Sequence, residues 1–207
     1  MLADDYYESG AGRGVHEHEY DGTVAAWQRD SVSTRVGVYP GSFNPPTIAH
    51  IEIALAARSV HGLDRVDLAV SLAALGKAEV LRPTFDERLS VIEASVAAVE
   101  GLGLIVTEHQ LIADISAGYS VVVMGADKWH QVNDVRWYAD AGARDAAIAS
   151  LPGLALAPRT GFHVPDEHRL PVSADLLDIS SSAVRAGRIE WMTAAARAHH
   201  EATGAWG

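Results

Sequence analysis

The chain has 207 residues, 48% of them hydrophobic and 21% charged, with a formal net charge of −11 and no cysteine. That length carries one domain with its own core, or one domain plus an extension. The missing cysteines exclude disulfides and thiolate metal sites, the acidic balance argues against nucleic-acid or anionic-membrane surfaces, and no apolar run approaches the roughly 18–20 residues of a membrane span.

Residues 1–34 are read as a polar extension, partly disordered or draped over a domain that occupies 35–207. The opening stretch, MLADDYYESG, lacks the basic and apolar regions of a secretory signal, so a cytoplasmic protein is expected. Within the extension, GAGRG has no preceding strand and reads as linker rather than phosphate loop. HEHEY (from His16) reads as a solvated charged patch, and no metal site is expected.

From Arg35 the pattern becomes one of strands alternating with helices. Arg35–Tyr39 is a short buried strand, and Ile48 to Arg58 sets Ile48, Ile51 and Leu55 on one helical face. VDLAVS (66–71) is a second strand. Thr84 to Val99 is a helix with a stripe of Phe85, Leu89, Ile92, Val96 and Val99, opened by a Thr84/Glu87 capping box. Leu102–Glu108 and Tyr119–Gly125 are the third and fourth strands. The segment between them, HQLIADISAG, is too short for a full helix, so the crossover must be compressed. Asp140–Ser150 is helix-like and Leu154–Ala157 a fifth strand. Ser180–Ala186 opens another helix, and Glu190–Thr203 is a terminal helix ended by Gly204. Strands rich in Val, Ile and Leu between helices imply an α/β fold, a parallel sheet covered on both faces. Its ligands belong beyond the carboxyl ends of the strands.

The stretch VGVYPGSFNPPTIAH, Val36 to His50, fits an anion site at that end of the sheet. Gly41-Ser42-Phe43 follows a strand, glycine permits close backbone approach, and the helix from Thr47 offers free N–H groups. Pro45 and Pro46 stiffen the connection. His50, in the first turn, is placed to donate to phosphate oxygens. The plain alternative is a turn and a helix capped by Thr47, with His50 solvated. Ser180-Ser181-Ser182 precede a helix whose Arg185 can fork onto phosphate oxygens. Gly125-Ala126-Asp127 closes a strand where an Asp binds ribose hydroxyls or caps the following helix.

Together these segments resemble the nucleotidylyltransferase superfamily. GSFNPPTIAH resembles its (H/T)xGH signature, ISSSAVR (179–185) its ISSTxIR motif, and MGADKW (124–129) the GAD segment of the nicotinate and nicotinamide mononucleotide adenylyltransferases. HEATGAWG resembles the terminal helix of that subfamily. Ala49 stands where the signature usually has glycine, and its methyl either crowds the nucleotide or merely makes a better helix. YPG is closer to phosphopantetheine adenylyltransferases.

The resemblance implies a Rossmann-like nucleotidylyltransferase fold and in-line attack of an acceptor phosphate on the α-phosphorus of ATP, with pyrophosphate leaving. It implies that Gly41, Ser42, Phe43, Thr47 and His50 hold the α- and β-phosphates, and that Ser180, Ser181 and Arg185 hold the β,γ end. Lys77, after the second strand, contacts phosphate or is merely solvated, and Arg88 faces the site or covers its helix. Gly125 and Asp127 belong to the nucleotide site. Trp137 is a better counterpart than Trp129 of the ring that stacks on the pyridine, and Arg136 is a candidate for a nicotinate carboxylate. The implied cofactor is Mg²⁺ with ATP, and the partners are ATP and a small phosphorylated acceptor, with no nucleic acid or membrane. A homo-oligomer is compatible with the sequence. The leading expectation is adenylyl transfer to nicotinate or nicotinamide mononucleotide for NAD synthesis. A cytidylyl- or phosphopantetheine-type transferase and a non-catalytic nucleotide-binding protein remain the alternatives.

Overall fold

A computed structural model describes residues 34–72 and 83–206. The polar extension and Lys77 lie outside the described residues. Five strands form one parallel sheet in the order β3-β2-β1-β4-β5: β1 Val36–Pro40, β2 Arg65–Ser71, β3 Leu102–Thr107, β4 Val121–Gly125 and β5 Gly153–Ala157. Seven α-helices accompany them among the described residues: α1 Ile48–His61, α2 Phe85–Ala97, α3 Ile112–Ile115, α4 Ala126–Val132, α5 Ala141–Ala149, α6 Ser181–Arg185 and α7 Ala194–Thr203.

Both faces of the sheet are buried. On one, Ile53, Ala54 and Ala57 of α1 and Ile92 and Val96 of α2 pack against Val66, Leu68, Val121 and Val123. On the other, Ile115 of α3 and Val132 of α4 pack against Val38, Ala69, Val122, Met124 and Leu156. This is the α/β, two-faced parallel sheet expected from the sequence. Burial on both sides explains why the strands read as continuous apolar runs rather than alternating ones. None of the described helices is long and apolar enough to cross a membrane.

Helix boundaries follow their caps. Thr84 caps α2 through the capping box with Glu87, and Gly62, at φ 57°, ends α1 in the left-handed conformation. The crossover from β3 to β4 carries only the four-residue α3, compressed as its length requires.

The last helix differs from its expected span. Ile189–Trp191 form a separate 3₁₀ turn, and α7 begins only at Ala194. Met192 leaves helical geometry to bridge antiparallel to Thr47, and the Thr193 amide donates to the Pro46 carbonyl at 3.2 Å. A tertiary contact thus overrides local helix propensity at Glu190–Thr193.

Strand order reverses at β1, flanked by β2 on one side and β4 on the other. In such sheets the crevice opens beyond the carboxyl ends of those strands, where Pro40–Ser42 and Gly125–Asp127 lie.

Candidate functional site

The segment Asn44-Pro45-Pro46 is neither helix nor strand, and its two prolines have no N–H. Its three carbonyls therefore need donors from elsewhere. The Arg185 guanidinium donates to the Asn44 carbonyl, the Ser181 hydroxyl to that of Pro45 at 2.7 Å, and the Thr193 amide to that of Pro46 at 3.2 Å. The two helix beginnings, Thr47–His50 and Ser180–Arg185, consequently meet at one place. Ser180 caps α6, its oxygen accepting from the Ala183 amide at 3.1 Å. Ser181 and Arg185 thus hold the loop itself. Arg185 is exposed and also donates to the Ser182 hydroxyl at 3.2 Å.

Thr47 and His50 form a capping box in which the imidazole replaces the usual carboxylate. The Thr47 amide donates to His50 Nδ1 at 2.9 Å. An accepting Nδ1 carries no proton in a neutral ring, so the hydrogen sits on Nε2. Burial and, secondarily, the nearby Arg159 cation lower the His50 pKa to about 3. Phe43 packs edge-on against the imidazole with ring centres 5.0 Å apart, and Tyr39 lies 6.1 Å away. His50 is thus a half-buried, neutral ring with a fixed tautomer, a donor rather than a cation.

Packing accounts for three of these positions. Thr47 is wholly buried, its hydroxyl 2.9 Å from His50 Nδ1, so its side chain supports His50. Ala49 is also wholly buried, among Tyr39, Phe43 and Ile53 in the core, so its methyl does not crowd a nucleotide. Gly41 is required by its neighbour. A Cβ there would meet the Phe43 ring at 2.7–3.0 Å, so the absent side chain makes room for Phe43, itself buried at a φ of 42°.

On the other strand end, Gly125 occupies the N-cap position of α4 without a side-chain cap. Asp127 does not cap this helix. Its carboxylate folds back over Gly125, where a Cβ would approach Oδ1 to 2.5 Å, and remains 56% exposed. Arg159 stands 3.9 Å from that carboxylate and donates to the carbonyls of Leu177, at 3.3 Å, and Ile179. It ties the GAD segment to the chain just before Ser180. Sequence reasoning missed Arg159, since a lone arginine after a strand carries no local signal.

A cleft opens beside this point. Its wall includes Gly41 and Ser42 from the β1 loop, Ala69–Ser71 at the end of β2, Arg88, Lys128, Trp137 and Tyr138. His50, Ser180, Ser181 and Arg185 are not in its lining, whereas Gly41 and Ser42 are. The Trp137 indole nitrogen and Arg88 Nε are buried there without hydrogen-bond partners among the described residues. Burial also lowers the pKa of Arg88 and Lys128. Trp129, on α4, is instead partly buried against the core cluster that holds Met124 and Leu156, which separates it from Trp137. Arg136 pairs with Asp134 at 2.9 Å on the surface, 68% exposed, rather than facing the cleft.

The chain is similar to known proteins. A cytidylyltransferase-like family model matches residues 38–187. A probable nicotinate-nucleotide adenylyltransferase of Bordetella pertussis is 28% identical over 169 residues, spanning 73% of this chain and 84% of that protein. A phosphopantetheine adenylyltransferase of Sphingopyxis alaskensis is 36% identical over 95 residues, 44% of this chain and 52% of that protein. The solved nicotinic acid mononucleotide adenylyltransferase of Plasmodium falciparum complexed with NaAD superposes with a TM-score of 0.63. It is 11% identical and covers 84% of this chain and 97% of that one, a likeness of fold. With the family match running from β1 through α6 and the Rossmann-like fold agreeing, this chain belongs to the cytidylyltransferase-like family of the nucleotidylyltransferase superfamily.

Proposed function

We propose that this protein transfers the adenylyl group of ATP to the phosphate of a pyridine mononucleotide, nicotinate or nicotinamide mononucleotide, releasing pyrophosphate and serving NAD synthesis. The observation that carries the reading is the junction of Ser181 and Arg185 with the Asn44 and Pro45 carbonyls, which brings the start of α6 to the loop that opens α1 and its His50. The adjoining cleft, with Trp137 in its wall, suits a flat acceptor ring. The Bordetella relative is named as acting on nicotinate nucleotide.

An acceptor phosphate oxygen attacks the α-phosphorus of ATP, a new P–O–P bond forms, and the α–β bridging bond breaks with its electron pair leaving on pyrophosphate. No protein nucleophile takes part, so the chain supplies alignment and charge stabilisation. In this reading His50 Nε2–H donates to phosphate oxygen as negative charge builds, with Thr47 orienting the ring. The Gly41–Phe43 backbone lies between acceptor and nucleotide. Ser180, Ser181 and Arg185 receive the β,γ end, and Lys77, in the segment outside the described residues, adds a phosphate contact. Asp127, held beside Gly125, accepts from ribose hydroxyls, and Trp137 stacks on the acceptor ring. Mg²⁺ enters as part of the ATP substrate. Among the described residues no three His, Asp or Glu side chains converge, a donor set that suits an ion carried on phosphate oxygens and water.

A pyrophosphate-release assay crossing ATP and CTP with nicotinate mononucleotide, nicotinamide mononucleotide and phosphopantetheine tests this. Release is expected with ATP and a pyridine mononucleotide. Nucleotide binding without release under every pair would overturn the enzymatic reading. The Sphingopyxis relative favours phosphopantetheine as the second acceptor, and release with that compound alone would select it.

A further inference from the structure

The side chain of Asn44 faces away from the groups that hold its carbonyl. It is buried, and its Oδ1 accepts a hydrogen bond of 2.6 Å from the indole Nε1–H of Trp206. An indole N–H only donates, so the oxygen end of the amide must face it. Trp206 lies far along the chain, after α7. Gly204, at φ 68°, ends that helix in the left-handed conformation and returns the chain, and the Trp206 amide donates to His200 Nδ1 at 3.2 Å. The indole itself is 4% exposed and packs with Val91 of α2, Val184 of α6, and Met192 and Ala196 around the start of α7.

Asn44 is thereby held twice, by Arg185 on its carbonyl and by Trp206 on its amide. It follows Phe43 directly, whose ring packs edge-on against His50. Without the indole N–H the buried Asn44 oxygen would lose its recorded partner, and the segment carrying Phe43 would lose one of its anchors.

We infer that Trp206 is a positioning residue of the phosphate site: its indole N–H fixes Asn44, and through Asn44 it sets the Phe43–His50 pair and the Arg185 guanidinium in register with each other. The inference rests on the transferase reading for its kinetic consequence, while its structural half stands on binding alone.

The informative variant is Trp206→Phe in the full chain, which keeps an aromatic ring in the apolar cluster and removes only the donor. A net hydrogen bond of this kind corresponds to about a threefold to tenfold effect. The expected result is a fall of that size in kcat for pyrophosphate release, with KM for ATP changed less than about twofold and the folded fraction intact. Asn44→Ala should give a similar fall, and the double variant should be no worse than the worse single one, because both remove the same contact.

An activity-free readout accompanies these. With ¹⁵N-labelled tryptophan, the Trp206 indole signal, assigned by its loss in Trp206→Phe, should shift when a non-hydrolysable ATP analogue binds wild type. That shift separates the two ideas: an inactive wild type whose indole still responds to nucleotide sinks the transferase reading alone. Unchanged kcat in a folded Trp206→Phe, additive effects in the double variant, or a silent indole during saturable nucleotide binding would overturn the inference. If Trp206→Phe does not fold, Asn44→Ala and the wild-type indole shift still decide it.

Discussion

The sharpest prediction concerns the charge state of His50. Because Nδ1 accepts from the Thr47 amide and burial lowers the pKa to about 3, the ring at neutral pH is uncharged with its hydrogen on Nε2. With its pKa held well below neutrality, the imidazole is uncharged at about pH 7. In the proposed reaction His50 would therefore act by donating one hydrogen bond to developing phosphate charge, not by presenting a cation. Loss of a single such donor costs about 10²- to 10³-fold in kcat, or about 2.7–4 kcal/mol of barrier. His50→Ala should show that fall in pyrophosphate release with little change in KM for ATP. His50→Gln, which keeps an N–H donor without a titrating ring, should recover part of it. The capping box is lost in the alanine variant, so a stability decrease of about 0.5–2 kcal/mol is expected in parallel, and thermal melts must confirm a folded protein. The neutral ring persists as pH falls from neutrality towards about 3, so kcat should show no loss attributable to His50 between about pH 7 and 5. Stability follows the same sign: a depressed histidine pKa stabilises the fold above the ordinary imidazole range, and that contribution declines as pH drops from there through about 3. An activity inflection near pH 6–7 in wild type that disappears in His50→Gln would refute the neutral-donor argument, and unchanged turnover in His50→Ala would remove the residue from the mechanism.

Gly41→Ala places a methyl within 2.7–3.0 Å of the Phe43 ring, and overpacking of this kind costs about 1–3 kcal/mol. A lower melting temperature together with lost turnover is expected, whereas a variant with both unchanged would show that Phe43 can move at no cost. Arg159→Met leaves the Leu177 and Ile179 carbonyls without their recorded donor, at about 1–3 kcal/mol, and frees Asp127 from its nearby cation. Reduced stability and weaker ATP binding should appear by calorimetry, and wild-type values for both would exclude the bridging role. Trp137→Ala should raise KM for the acceptor far more than KM for ATP, since Trp137 lines the cleft and His50 does not. Equal rises would exclude a selective role for Trp137 at the acceptor. Thr84→Ala removes a cap distant in role from the chemistry, so about 1 kcal/mol of stability should go while kcat stays.

Local chemistry was enough for much of this protein. The Val-, Ile- and Leu-rich runs specified buried parallel strands because both faces of the sheet are covered. Thr84 with Glu87 specified the start of α2 because a capping box involves only neighbours three residues apart. GSFNPPTIAH and ISSSAVR announced two helix beginnings for the same reason. What the two do to each other was not written locally. That Ser181 and Arg185 close on the Asn44 and Pro45 carbonyls depends on a separation of more than 130 residues along the chain. So does the donor that Trp206 brings to Asn44. From its position in the motif alone, Ala49 could either crowd the nucleotide or merely favour the helix. Its methyl proved to belong to the core because the rotation of α1 against the sheet, a matter of packing, decides which way that side chain points. Arg159 carried no motif, and the support that buried Thr47 gives His50 shows only in the folded chain. Hydrogen-bond needs and hydrophobic period are properties of short stretches and can be read from them. Which donor satisfies a given acceptor, and which side chain is left facing a cleft, is settled only when distant segments are brought together by the folded core.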